Sequence, residues 1–119
     1  MKKSNPIDLV KFKNIAGDDL ETIIECFNDF LLIIPVKLED LKKKIKTKKN
    51  DQLINSTHSL KNVLRYISAE NAAHIVHKIE ELSEKKEYKE IKGLYGDLEK
   101  EIVKVKQFIL EFISLHSKE

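Results

Sequence analysis

Between positions 20 and 45 the residues Leu20, Ile24, Phe27, Leu31, Ile34, Leu38, Leu41 and Ile45 recur at alternating steps of four and three. A strand turns its side chains over every second residue and has no use for that spacing. A helix brings every one of these residues onto one face. The seam runs for roughly seven turns, with the spacing by which nearly parallel helices pack on one another. A helix carrying one such stripe needs other helices to cover it. Pro35 lies inside the run and is expected to bend it by removing one backbone hydrogen bond.

The rest of the chain supplies the cover. Asn50 is read as the cap of a third helix with the seam Leu53, Thr57, Leu60, Leu64 and Ile67. Ser68 is read as the cap of a fourth carrying Ala72, Ile75, Val76, Ile79 and Leu82. A last helix carries Ile91, Leu94, Leu98, Ile102, Val105, Ile109 and Phe112. Gly93 and Gly96 weaken its first turns by about 1 kcal/mol each relative to alanine, so an irregular start is expected. Upstream, "SNPID" reads as a short helix with Asn5 as cap and Pro6 at its first position, ending near Gly17. Asp18, answered by Glu21, then caps the long second helix. Short connections make neighbouring helices antiparallel. The expected fold is all-α: an up-down four-helix bundle in a single domain over 1–119, with the short N-terminal helix laid across it.

Composition removes several function classes. Three glycines and two prolines are too little turn punctuation for an all-β fold. No apolar run approaches 18 residues, so no transmembrane helix is expected, and "MKKSNPIDLVKFKN" lacks the apolar core of a signal peptide. Cys26 is the only cysteine, which excludes an internal disulfide and suits a reducing cytoplasm. The formal charge of +2 gives no case for nucleic acid. Lysines crowd "KLEDLKKKIKTKK" at 37–49, but no aromatics interleave with them, and cations are favoured where a helix closes. The expectation is a cytoplasmic monomer that binds neither nucleic acid nor membrane.

One side chain stands out against this background. On the wheel of the third helix the seam centres between Leu53 and Leu60, and His58 lies about 150° from that centre. Asp51, Asn55, Asn62 and Arg65 share its outward stripe, and Lys61 flanks it at i+3. His58 is therefore expected as a solvent-facing imidazole in mid-helix, with a cation on the surface beside it.

The string "HSLKN" followed by "YISAENAAHIVHKIEEL" resembles the histidine-containing phosphotransfer (HPt) domain family. That family's pattern is His-x-x-Lys-Gly, small residues, an apolar-Gly-Ala turn, and a helix ending in Leu-Glu or similar. His58 matches the phospho-accepting histidine and Lys61 the lysine three residues on, while Ile67 and Ala69 match the turn. Upstream, "FLLIIP" resembles the family's Phe-x4-Pro segment, here Phe30 to Pro35. The resemblance covers about 7–113. Asn62 and Ser68 stand where the family has glycine, and Val63 and Leu64 where it has small residues. Asn62, at i+4 from His58, either crowds the imidazole or hydrogen-bonds a phosphoryl oxygen.

The resemblance implies a phosphorelay intermediate. His58 would accept a phosphoryl group from the aspartyl phosphate of a response-regulator receiver domain, or from a kinase, and pass it to another receiver. Lys61 would stabilise the phosphoryl oxygens, with Asn62 and Arg65 modulating the site. The chain itself would need no cofactor, because the receiver brings the Mg²⁺. Autokinase activity is not expected, since there is no glycine-rich phosphate loop and no pair of metal carboxylates. Docking needs apolar surface near His58; Phe30, about 70° off the second helix's seam, and Leu32 and Ile33, about 130° off it, are the candidates together with Asn55. The alternative is a binding module of the same fold that docks a receiver or kinase without taking up phosphate. A purely structural bundle is a third reading. His74, His77 and Glu81 share a face of the fourth helix and could hold Zn²⁺ weakly, although a solvated face explains them as well. His116 carries no signal.

Overall fold

The computed structural model describes residues 5–116, so part of the basic N-terminal stretch lies outside the described residues. Five helices follow one another: α1 (Leu9–Ala16), α2 (Leu20–Thr47), α3 (Asn50–Tyr66), α4 (Glu70–Glu84) and α5 (Tyr88–His116). Among the described residues there is no strand, and no helix is long and apolar enough to cross a membrane. The principal contacts run α2 to α3, α3 to α4, α4 to α5 and α5 back to α2, with α1 resting on α2. One apolar core joins all five helices. It takes Phe27, Ile34 and Leu41 from α2, Leu53, Leu60 and Leu64 from α3, Val76 and Ile79 from α4, and Ile91, Leu98, Ile102, Val105 and Ile109 from α5.

The apolar seams are covered along most of their length, although Leu20 at the start of α2 is 39% exposed and Ile24, Leu31 and Leu38 are only partly buried. The helix ends differ from the sequence reading. α1 begins at Leu9 because Asp8, not Asn5, caps it: the Asp8 carboxylate accepts the Lys11 N–H. Asn5 and Pro6 precede the helix. Asp19 rather than Asp18 caps α2, accepting from both the backbone N–H and the hydroxyl of Thr22. α2 continues through Pro35. Asn50 is the first residue of α3 rather than its cap; its side-chain amide donates to the Ser83 carbonyl and its oxygen accepts from the Tyr88 hydroxyl, tying the starts of α3 and α5 to the end of α4. The start of α5 is regular, with Gly93 and Gly96 inside continuous helix.

Ser68 is not a cap either. It ends α3 in the left-handed region at φ +59°, donating its N–H to the Arg65 carbonyl while the Ala69 N–H reaches back to Leu64. This pair of bonds closes a helix at a position that glycine normally fills. α1 is fastened to that turn and to α2: the Asp8 N–H donates to the Ser68 carbonyl, Lys11 pairs with Glu70 at 3.1 Å, and Phe12 stacks on Phe27 of α2 at 5.4 Å.

Candidate functional site

His58 stands in mid-α3 with 55% of its side chain exposed, so its ring is open to solvent and to a partner. α3 packs on α2 along one flank and on α4 along the other. Lys61 stands about 90° from the seam centre, on the flank that α4 covers. Its side chain is consequently only 10% exposed. The surface lysine expected from the wheel is instead a buried cation, because two neighbouring helices widen the covered arc of α3.

A buried ammonium needs a partner, and α4 provides one. Glu80, with 9% of its side chain exposed, places Oε1 2.6 Å from Lys61 Nζ. Its second oxygen, Oε2, lies 2.8 Å from His58 Nε2. One carboxylate therefore bridges the two residues singled out on α3. His77 completes the cluster, with Nδ1 3.3 Å from Lys61 Nζ and Nε2 3.5 Å from Glu81 Oε2. An ammonium can only donate, so His77 Nδ1 accepts, and the proton of a neutral ring sits on Nε2 facing Glu81. His77 keeps 43% of its side chain exposed while making these contacts, and His74 is exposed, so both retain a solvated side. Among the described residues no group of three or more His, Cys, Asp or Glu is placed to hold a metal ion.

The electrostatics follow from these distances. Burial pushes the Glu80 carboxyl up, but the Lys61 hydrogen bond and charge, joined by His58 and His77, outweigh it and hold the group below its ordinary value. Glu80 is therefore ionised at neutral pH. His58 can donate to it only while Nε2 carries a proton. In the neutral ring this leaves the lone pair on Nδ1.

The other residues proposed for the site separate. Asn55, Asn62 and Arg65 are exposed on the outward stripe with His58. No hydrogen bond joins Asn62 to His58; Asn62 instead lines a cavity of about 420 Å³ between α2 and α3, together with Cys26, Phe30, Ile33 and Tyr66. Phe30 forms the inner wall of that cavity and is 2% exposed, so it belongs to the core rather than to the surface. Its 70° offset falls on the side where α3 closes over α2. Leu32 and Ile33 are exposed, at 77% and 39%, as their larger offsets require.

Glu80 was the residue that sequence reasoning missed. A signal existed: Glu80 follows Val76 by four and precedes Ser83 by three, which puts a carboxylate on the covered face of α4. A charge in such a place calls for a partner of opposite sign. Comparison with protein-family models, with curated proteins and with solved structures found no match to this chain.

Proposed function

We propose that the chain is a phosphorelay intermediate that takes a phosphoryl group on His58 from an aspartyl-phosphate receiver domain, or from a kinase, and passes it to another receiver. The observation that carries this reading is the exposed His58 ring in the middle of a helix, backed by the buried Lys61–Glu80 pair. An imidazole displayed in this way, with 55% of its side chain exposed, is open to the approach of a partner domain that brings the rest of an active site. The finer architecture belongs to the same reading: α2 to α5 form an antiparallel up-down four-helix bundle with α1 across one end, as in the HPt family. The setting is cytoplasmic and the chain acts as a monomer.

In the transfer a ring nitrogen attacks the phosphorus of the aspartyl phosphate. The N–P bond forms, the P–O bond to the aspartate breaks, and the electron pair stays on the aspartate carboxylate. A receiver would supply a Mg²⁺ to offset the charge on the phosphoryl oxygens, and alignment would account for most of the remaining barrier. Nε2 can attack only after its ring leaves Glu80 and the neutral ring carries its one proton on Nδ1; that proton can leave to water once the N–P bond has formed. The onward step reverses these bond changes. Ile33, Leu32 and the α2–α3 cavity beside Asn62 supply apolar surface for docking, with Asn55 and Arg65 on its border.

A second reading has its own observation. Glu80 already engages both His58 Nε2 and Lys61, which would suit a module that docks a receiver or kinase domain without taking up phosphate. Incubation with phosphorylated receivers separates the two readings, since only the relay intermediate acquires phosphate, and only with His58 present.

A further inference from the structure

A second feature lies away from His58, where the end of α2 meets the start of α5. A cavity of about 520 Å³ opens there, lined by Lys42, Ile45, Lys46, Lys48, Lys92 and Tyr95. Four of these six side chains are cations, and they come from both helices and from the turn that ends α2. Lysines elsewhere in the same run are already engaged: Lys37 donates to Ser59, and Lys44 pairs with Asp40 at 2.7 Å. Among the described residues none of the four cavity lysines forms an ion pair, although Lys48 sits 5.6 Å above the Tyr88 ring.

Closure of a helix by cations does not account for this grouping. The end of α2 presents about half a negative charge, against four positive ones, and the start of α5 adds positive partial charge on the other side. Glu39 and Glu99 act on Tyr95, whose hydroxyl burial and these two carboxylates push up to about 12. Tyr95 therefore remains neutral, and its hydroxyl is spent on the Leu38 carbonyl. Buried Ile45 supplies an apolar floor.

We propose that this cavity is a binding site for an oligophosphate anion, either a free phosphate chain or the phosphate tail of a nucleotide. Lysine ammonium groups are point charges without the planar fork of arginine, so the site selects dense negative charge rather than a flat carboxylate. Its volume falls within the range of roughly 300–1,000 Å³ usual for small-ligand sites. Mutual repulsion of the four lysines is relieved when the anion enters, so binding raises the melting temperature.

The test is titration of the ¹⁵N-labelled full chain with sodium tripolyphosphate, and separately with ATP, at constant ionic strength. Saturable shifts confined to the amides around Ile45–Lys48 and Lys92–Tyr95 are expected, and Lys46→Gln with Lys92→Gln weakens binding about tenfold or more. Tighter binding of ATP assigns the site to a nucleotide, and tighter binding of tripolyphosphate to a free chain; either order supports it. Shifts that fail to saturate, that spread over distant lysines such as Lys100 and Lys104, or that persist in the double variant overturn the proposal. The variants remove repelling cations and should fold at least as well as wild type. His58→Gln should bind equally, so the outcome here is independent of the relay reading.

Discussion

His58 Nε2 on α3 lies 2.8 Å from Glu80 Oε2 on α4, and the same carboxylate holds Lys61 Nζ at 2.6 Å through its other oxygen. The exposed ring is thereby anchored to a buried ion pair that also joins two helices. Any account of what His58 does must include Glu80, and the stability of the α3–α4 contact depends on it as well.

Removing either member of the pair leaves the other charge buried and unpaired. Lys61→Ala and Glu80→Ala should each cost about 3 kcal/mol, measured by urea unfolding. The apolar double substitution Lys61→Met with Glu80→Met should cost less than either single change. Additive losses would show that the two charges do not depend on each other.

Acid should weaken the same contact. The folded pKa of Glu80 lies below its ordinary value of 4.5. The stability it contributes is therefore present above that value and is lost as pH falls through the folded pKa. The stability gap between wild type and Glu80→Gln should be full at pH 7 and narrow steadily below about pH 4.5. Asp40, held low by hydrogen bonds from Lys44 and Ser56, adds acid sensitivity to both proteins and cancels in the difference. A gap that does not change with pH would contradict the assignment.

The α3–α4 turn carries avoidable strain. Ser68 is fully buried at φ +59°, and its hydroxyl finds no partner. Ser68→Gly removes both the left-handed penalty of about 1–2 kcal/mol and the unpaired hydroxyl, against a glycine entropy cost of about 0.5–1 kcal/mol. A net gain of about 1 kcal/mol is expected in chemical denaturation. A loss would mean that the serine side chain contributes packing that outweighs the strain.

The apolar periodicity made the helices legible, because burial along a helix repeats with a fixed angle and every long seam is near-continuous. The ends were less legible. Asn5, Asp18, Asn50 and Ser68 are all good caps by residue type, and local preference could not show that Asp8 and Asp19 win, or that Asn50 serves Ser83 and Tyr88 instead. His58 was placed correctly on the open face since it is far from any covered arc. Lys61 and Phe30 were misplaced because both stand at the border of a seam, where only the neighbouring helix decides what is covered. Glu80 was missed because its partners lie on a different helix, 19 and 22 positions back in sequence.

Gly93 tests the helical start of α5. It is exposed, and a Cβ there would meet nothing within 4 Å. Gly93→Ala should therefore stabilise the chain by about 1 kcal/mol, read as a higher urea midpoint. No gain would restore the irregular start expected from the sequence.

Phosphate on His58 can be measured directly. Wild type, Asn62→Gly and His58→Gln are each incubated with phosphorylated receiver domains and Mg²⁺, and acid-labile, base-stable phosphate on the chain is measured. Such phosphate is expected on wild type and on Asn62→Gly, and none on His58→Gln. Equal background on all three, with several receivers of demonstrated activity, would contradict the relay reading.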